Sequence, residues 1–225
     1  MLARPFSEGC EDVSKKTKTI CSLICNAIVF LVTTGIVVSY FFVKSKIIAN
    51  GWDSLKFFTT DSNILAAIAS ALVMICDVKI LRGKRQNVAR AFTLIKYAGV
   101  VGLLLTFCTV MFLLVPLYGA ALELGGSSFH MHVAAPVLTF VSFIYFDSHT
   151  ELRFRDTFIG LLPVVIYGLV YYLQVVLFKN WWDFYAFNPD GRWYLTMPII
   201  FTFSYLICLV TRLLRNHMTE KTDLK

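Results

Sequence analysis

The chain has 225 residues, of which 57% are hydrophobic and 16% charged, against roughly 45–50% and about 25% in soluble domains. Its mean hydropathy is +0.69 and the apolar excess falls in long uncharged runs, which excludes an ordinary soluble domain. The net charge of +7 suggests a nucleic-acid partner, but the placement of that charge along the chain excludes one.

Uncharged or nearly uncharged runs occupy residues 19–43, 57–81, 97–122, 124–146, 157–178 and 193–211. About 20 apolar residues cross the hydrocarbon core as a helix, so the pattern predicts an all-α integral membrane protein of six transmembrane helices. The implied organisation is an N-terminal tail over 1–18, a transmembrane domain over 19–215 and a C-terminal tail over 216–225. The first run is too long for a signal-peptide core, lacks a small-residue cleavage site, and reads as a retained helix.

Sixteen of the 21 Lys and Arg residues fall in the two tails and the 2–3 and 4–5 connections, Lys96 and Arg215 among them. Only Lys44, Lys46, Lys56, Lys179 and Arg192 fall on the other side. Basic residues stay on the cytoplasmic side of short loops, so both termini are expected there. The six cysteines include no CxxC pair and read as packing residues.

The second run opens with its most polar cluster, "FFTTDSN" over 57–63. With both termini inside, this cluster lies at the outer end of helix two, where Thr59, Thr60, Asp61 and Ser62 suit either helix capping or chemistry. Helix four opens with "GGSSFHMHVAAP", which sets His130 and His132 at the same depth as Thr59 to within about a turn. The other histidines, His149 and His217, fall on the opposite side. Helix five presents Tyr167, Tyr171 and Gln174 on one face and leads into "FKNWWDFYAFNPDGRW", which adds Trp181, Trp182, Asp183 and Tyr185. These aromatic residues also suit an interfacial belt.

Two chemistries fit such a cluster. Metal binding has ligand types in His130, His132, Asp61 and Asp183, yet positions i and i+2 of a helix point about 200° apart. Acyl transfer needs a hydroxyl and a base, which Thr59 and a neutral histidine supply. Free amides at the start of helix two, with Asn63 one turn below Thr59, offer oxyanion support.

Three segments also carry a family resemblance. "FFTTDSN" resembles the F-T-x-x-S-N signature of small bacterial membrane proteins with several scattered prolines. "HVAAP" resembles the H-x-x-x-P that opens their fourth helix, and "LPVVIYGLVYYLQVVLFKNWWDFYAF" resembles their P-x-x-x-Y segment followed by W-x-x-Y. Those proteins look related to the androgen-induced and androgen-dependent membrane hydrolases of fatty-acid esters of hydroxy fatty acids. The resemblance implies a threonine hydrolase with Thr59 as nucleophile and His132, four residues before Pro136, as base. The chain departs from the pattern at Ala186, where relatives often have proline, and in carrying a second histidine at position 130.

The expected function is therefore cleavage of a lipid ester near the outer leaflet through an acyl-threonine, in a membrane of bacterial cell type. The catalytic residues are Thr59 and His132; the substrate-binding candidates are Asn63, Ser62, Tyr171, Gln174, Asp183, Trp182 and His130. No metal or organic cofactor, nucleic acid or protein partner is implied. The alternative is a membrane protein that binds or carries a lipid or small molecule without a covalent step. Pro136 has no N–H to offer the His132 carbonyl, so the helix is expected to open beside that histidine.

Overall fold

The computed structural model describes residues 6–42, 51–147 and 150–223, with side chains from residue 14 to residue 219. Arg4, Lys44, Lys46, His149 and Lys225, used in the charge and depth arguments, lie outside the described residues, as do the side chains of Cys10 and Lys221. Every regular element among the described residues is helical. Six helices carry stretches long and apolar enough to cross a membrane. They are α1 (Phe6–Phe42), α2 (Phe58–Leu81), α3 (Arg90–Tyr118), α4 (Ser127–Phe146), α5 (Asp156–Leu177) and α6 (Trp193–Asp223). Their number returns the chain to the side on which it began, so the bundle has a termini end and a far end.

The distribution of side chains is that of a bundle meant for apolar surroundings. Ser22, Asn26, Thr33, Asn63, Ser70 and Ser142 are fully buried, whereas Leu31 is 64% exposed, Ile199 67% and Phe112 75%. In water this arrangement would be costly on both counts; in hydrocarbon it satisfies polar groups internally and leaves apolar ones to lipid. The backbone needs nothing further, because each helix closes its own hydrogen bonds.

Small residues set the central packing. A Cβ added at Gly102 of α3 would meet the Ser62 Cβ of α2 at 3.1 Å, and one added at Gly99 would meet the Ala66 Cα at 3.2 Å. Both glycines thus let α3 lie directly against the polar face of α2, as small residues do between membrane helices. A further close fit is at Gly160 of α5, where a Cβ would run into the Tyr97 ring at 2.6 Å.

Three helices run past their expected limits, α1 among them, since it begins at Phe6 within the stretch read as a tail. Helix α3 begins at Arg90 instead of residue 97, and α6 runs to Asp223, through the stretch read as a tail. The reason is common to both: Lys96 is 1% exposed and Arg215 0%, inside the bundle instead of on its face. A charge is expected to end an apolar run, but here each finds polar partners within it. The remaining basic groups of the 2–3 connection, Arg82, Lys84 and Arg85, are exposed, while Arg90 forms a forked pair with Asp156 of α5 at 2.9 and 2.7 Å.

Candidate functional site

Helix α2 starts without a cap from its own polar cluster. Its N-cap residue is Phe57 and no side chain of the cluster caps it. Instead the Phe58 N–H donates to the Tyr185 phenol of the 5–6 connection at 3.0 Å, and the Tyr167 hydroxyl of α5 donates to the Lys56 carbonyl at 2.6 Å. The helix start is capped through space, which frees Thr59, Ser62 and Asn63 for contacts inside the bundle.

Those contacts point in two directions. The Ser62 hydroxyl sits 3.1 Å from the Thr59 carbonyl and 3.0 Å from the Thr106 hydroxyl of α3. The Asn63 amide donates to the Thr59 carbonyl at 2.8 Å and to the Met131 carbonyl of α4 at 3.0 Å. One side chain therefore ties the turn that carries Thr59 to the residue preceding His132. The Asn63 carbonyl oxygen is buried and has no partner among the described residues.

His132 occupies a widened π turn, His130–Ala134, directly before the α-helical stretch that holds Pro136. The expected opening beside the histidine is present, since the proline withholds the donor its carbonyl would use. Nδ1 of His132 lies 2.6 Å from the Glu123 carbonyl and 3.9 Å from the Glu123 carboxylate. A carbonyl only accepts, so Nδ1 carries the proton and Nε2 presents a lone pair. The pattern is that of an orienting group behind a base. Glu123 lies in the 3–4 connection, and burial pushes its carboxyl above the ordinary carboxylate range.

Thr59 faces the other way, onto a cavity of about 430 Å³ between α2, α3, α5 and α6. Its polar end is formed by Thr59, Thr106, Tyr167, Tyr171 and Tyr185; Leu105, Phe112, Val164, Ile199 and Phe203 line the rest. Burial pushes the Tyr185 phenol up to about 12, against hydrogen bonding from Thr59 and the Phe58 amide that favours its ionised form. Tyr185 thus meets Thr59 as a neutral phenol. No hydrogen bond joins Thr59 to His132 among the described residues; the two sit on adjacent helices linked through Asn63.

The remaining predicted residues separate. His130 turns to α1, with Nε2 3.0 Å from the Thr33 hydroxyl, so the two histidines part company. Asp183 organises the 5–6 connection: it accepts the Tyr171 hydroxyl at 2.9 Å and the Phe187 and Asn188 amides at 2.8 and 2.7 Å. Gln174 accepts the Asn180 side chain at 2.9 Å and closes the same loop. Trp182 is 68% exposed and packs edge-on against Phe184. Of the substrate-binding candidates, only Tyr171 lines the cavity.

Sequence reasoning missed Glu123 and the role of Tyr185. Glu123 is the lone charged residue in "YGAALELGGSS", a signal that could have been read; the reach of Tyr185 to the start of α2 could not. No family model, no curated protein and no solved structure matches the chain.

Proposed function

We propose that the protein is an intramembrane hydrolase that holds the acyl chain of a lipid ester in the cavity and cleaves the ester at Thr59. The observation that carries this reading is the position of Thr59 at the polar end of an otherwise apolar cavity. A largely apolar pocket that gathers several hydroxyls fits a ligand with a long chain and one polar head.

In this mechanism His132 removes the Thr59 proton through one bridging water, since apo catalytic contacts are often longer than those in the working complex. The Thr59 oxygen attacks the ester carbonyl and forms the new C–O bond. The amides at the start of α2 are already taken, by the Tyr185 phenol and the Phe57 carbonyl, so oxyanion charge is met by the phenol of Tyr185 that they hold in place. The ester C–O bond then breaks, and the alcohol leaves with the proton held by His132. Water, deprotonated by the same imidazole, releases the fatty acid and regenerates Thr59. The Glu123 carbonyl keeps His132 in the reactive tautomer throughout. The cytoplasmic placement of both termini and a cell-membrane location belong to the same reading, as does the motif resemblance to the androgen-induced and androgen-dependent hydrolases.

A second reading, lipid binding without cleavage, is favoured by one observation: Thr59 and His132 share no direct hydrogen bond. Purified protein in detergent, supplied with fatty-acid esters of hydroxy fatty acids and simpler long-chain esters, separates the two. Hydrolysis predicts fatty-acid release that falls by at least about 10³-fold in Thr59→Ala and His132→Ala, the scale on which removing a nucleophile or its base acts. Retained lipid with no release from folded wild type would establish the binder instead.

A further inference from the structure

The termini end of the bundle holds a second polar centre, remote from Thr59 and independent of the hydrolase reading. Five helices contribute to it: Ser22 and Asn26 from α1, Ser70 and Asp77 from α2, Lys96 from α3, Asp147 at the end of α4 and Arg215 from α6. Asp77 and Lys96 are each 1% exposed, Asp147 3%, and Arg215 0%. Ionisable groups at such depth are costly and mark function by default.

The Ser22 hydroxyl lies 2.6 Å from Asp77 Oδ2 and 2.9 Å from Asp147 Oδ1. A serine has one proton, so it can donate to only one of them. Asp147 Oδ1 also accepts from the Ser142 hydroxyl at 2.6 Å and the Asn26 amide at 3.2 Å, which marks Asp147 as the ionised carboxylate. If Ser22 donates to Asp147, the contact with Asp77 places two bare acceptors together unless Asp77 carries a proton of its own. Two ionised carboxylates bridged by one hydroxyl in a dry interior would repel strongly.

We propose that Asp77, Ser22 and Asp147 form a buried proton-binding site, in which Asp77 donates to Ser22 and Ser22 donates to ionised Asp147. A second observation points to an exchangeable ligand there: Asp77 Oδ1 and Asp147 Oδ2 are buried and have no hydrogen-bond partner among the described residues. These are the positions from which a proton enters and leaves. The cation place is taken by Lys96, whose ammonium donates to Asn26 Oδ1 and to Ser70 at 2.9 Å, so the ligand is a proton and not a metal ion. Lys96 from α3, Cys25 from α1 and Arg215 from α6 are the other titratable groups facing the carboxylates. Release of the proton leaves α2 and α4 joined by one hydroxyl between two negative charges, so the packing of this end follows pH.

The test is infrared difference spectroscopy of the full chain in detergent, comparing wild type with Asp77→Asn near pH 7 in H2O and D2O. The expected result is loss of a protonated-carboxyl C=O band that shifts in D2O, and displacement of that band in Ser22→Ala. Loss of carboxylate bands instead would show Asp77 ionised and overturn the assignment. Stability supplies a second measurement, because Asn copies a neutral Asp77 but not a charged Asp147. Asp77→Asn should unfold near the wild-type temperature and Asp147→Asn well below it; the reverse order would also overturn the proposal. Replacing choline by sodium at fixed pH should leave the band unchanged, and its disappearance would assign the site to the metal cation.

Discussion

At the scale of single residues, the far-end site is decided by which group satisfies which. Tyr185 is the clearest case, since its phenol accepts the first amide of α2 and stands beside Thr59. Tyr185→Phe leaves that amide without a partner and should cost about 1–2 kcal/mol, the usual penalty for an orphaned donor. Thermal unfolding in detergent measures this, and an unchanged midpoint would mean that the contact contributes nothing. Glu123 makes a pH prediction. Burial raises its carboxyl pKa, so its contribution to stability is present below the ordinary carboxylate range and lost as pH rises through the raised value. Glu123→Gln should therefore flatten the fall in unfolding temperature between mildly acid and neutral pH. A variant whose slope matches wild type would place the titrating group elsewhere.

At the scale of elements, α4 is informative because its irregularity is local and has a cause. The π turn His130–Ala134 sits one turn before a proline that cannot donate to the His132 carbonyl. Pro136→Ala restores that donor and should let the turn tighten to α geometry, drawing Nδ1 from the Glu123 carbonyl. Under the hydrolase reading, ester turnover drops by about 10-fold or more, as misplacement by an ångström does, with stability unchanged or higher. Full activity in a stable Pro136→Ala protein would separate the π turn from function. The position of this opening was legible in the sequence, because it follows from one missing N–H. The start of α2 was not. A polar cluster at a helix start has a local explanation in capping, and only the 5–6 connection, more than a hundred residues away, makes that explanation unnecessary.

At the scale of the whole molecule, the cavity lies between α2, α3, α5 and α6, while Gly99 and Gly102 hold α3 against α2. Thr109→Phe places a ring among the cavity-lining residues without touching Thr59. It should abolish turnover of long-chain esters while sparing short ones, checked by comparing chain lengths in one assay. Equal loss for both lengths would show that the acyl chain does not lie there.

Six helices and their approximate ends were legible in the chain, as was the expectation that Thr59 and His132 share a depth to within about a turn. Those properties follow from hydropathy along the chain and from a fixed rise per residue, which are local. Tertiary structure alone decided that His130 turns to Thr33, that Asp183 and Gln174 serve the loop, and that Lys96 and Arg215 lie inside. Each of these depends on the rotation of one helix about its axis relative to its neighbours. A uniformly apolar helix carries no stripe to announce that rotation, so a charge that looks like the end of a span can be the centre of the fold.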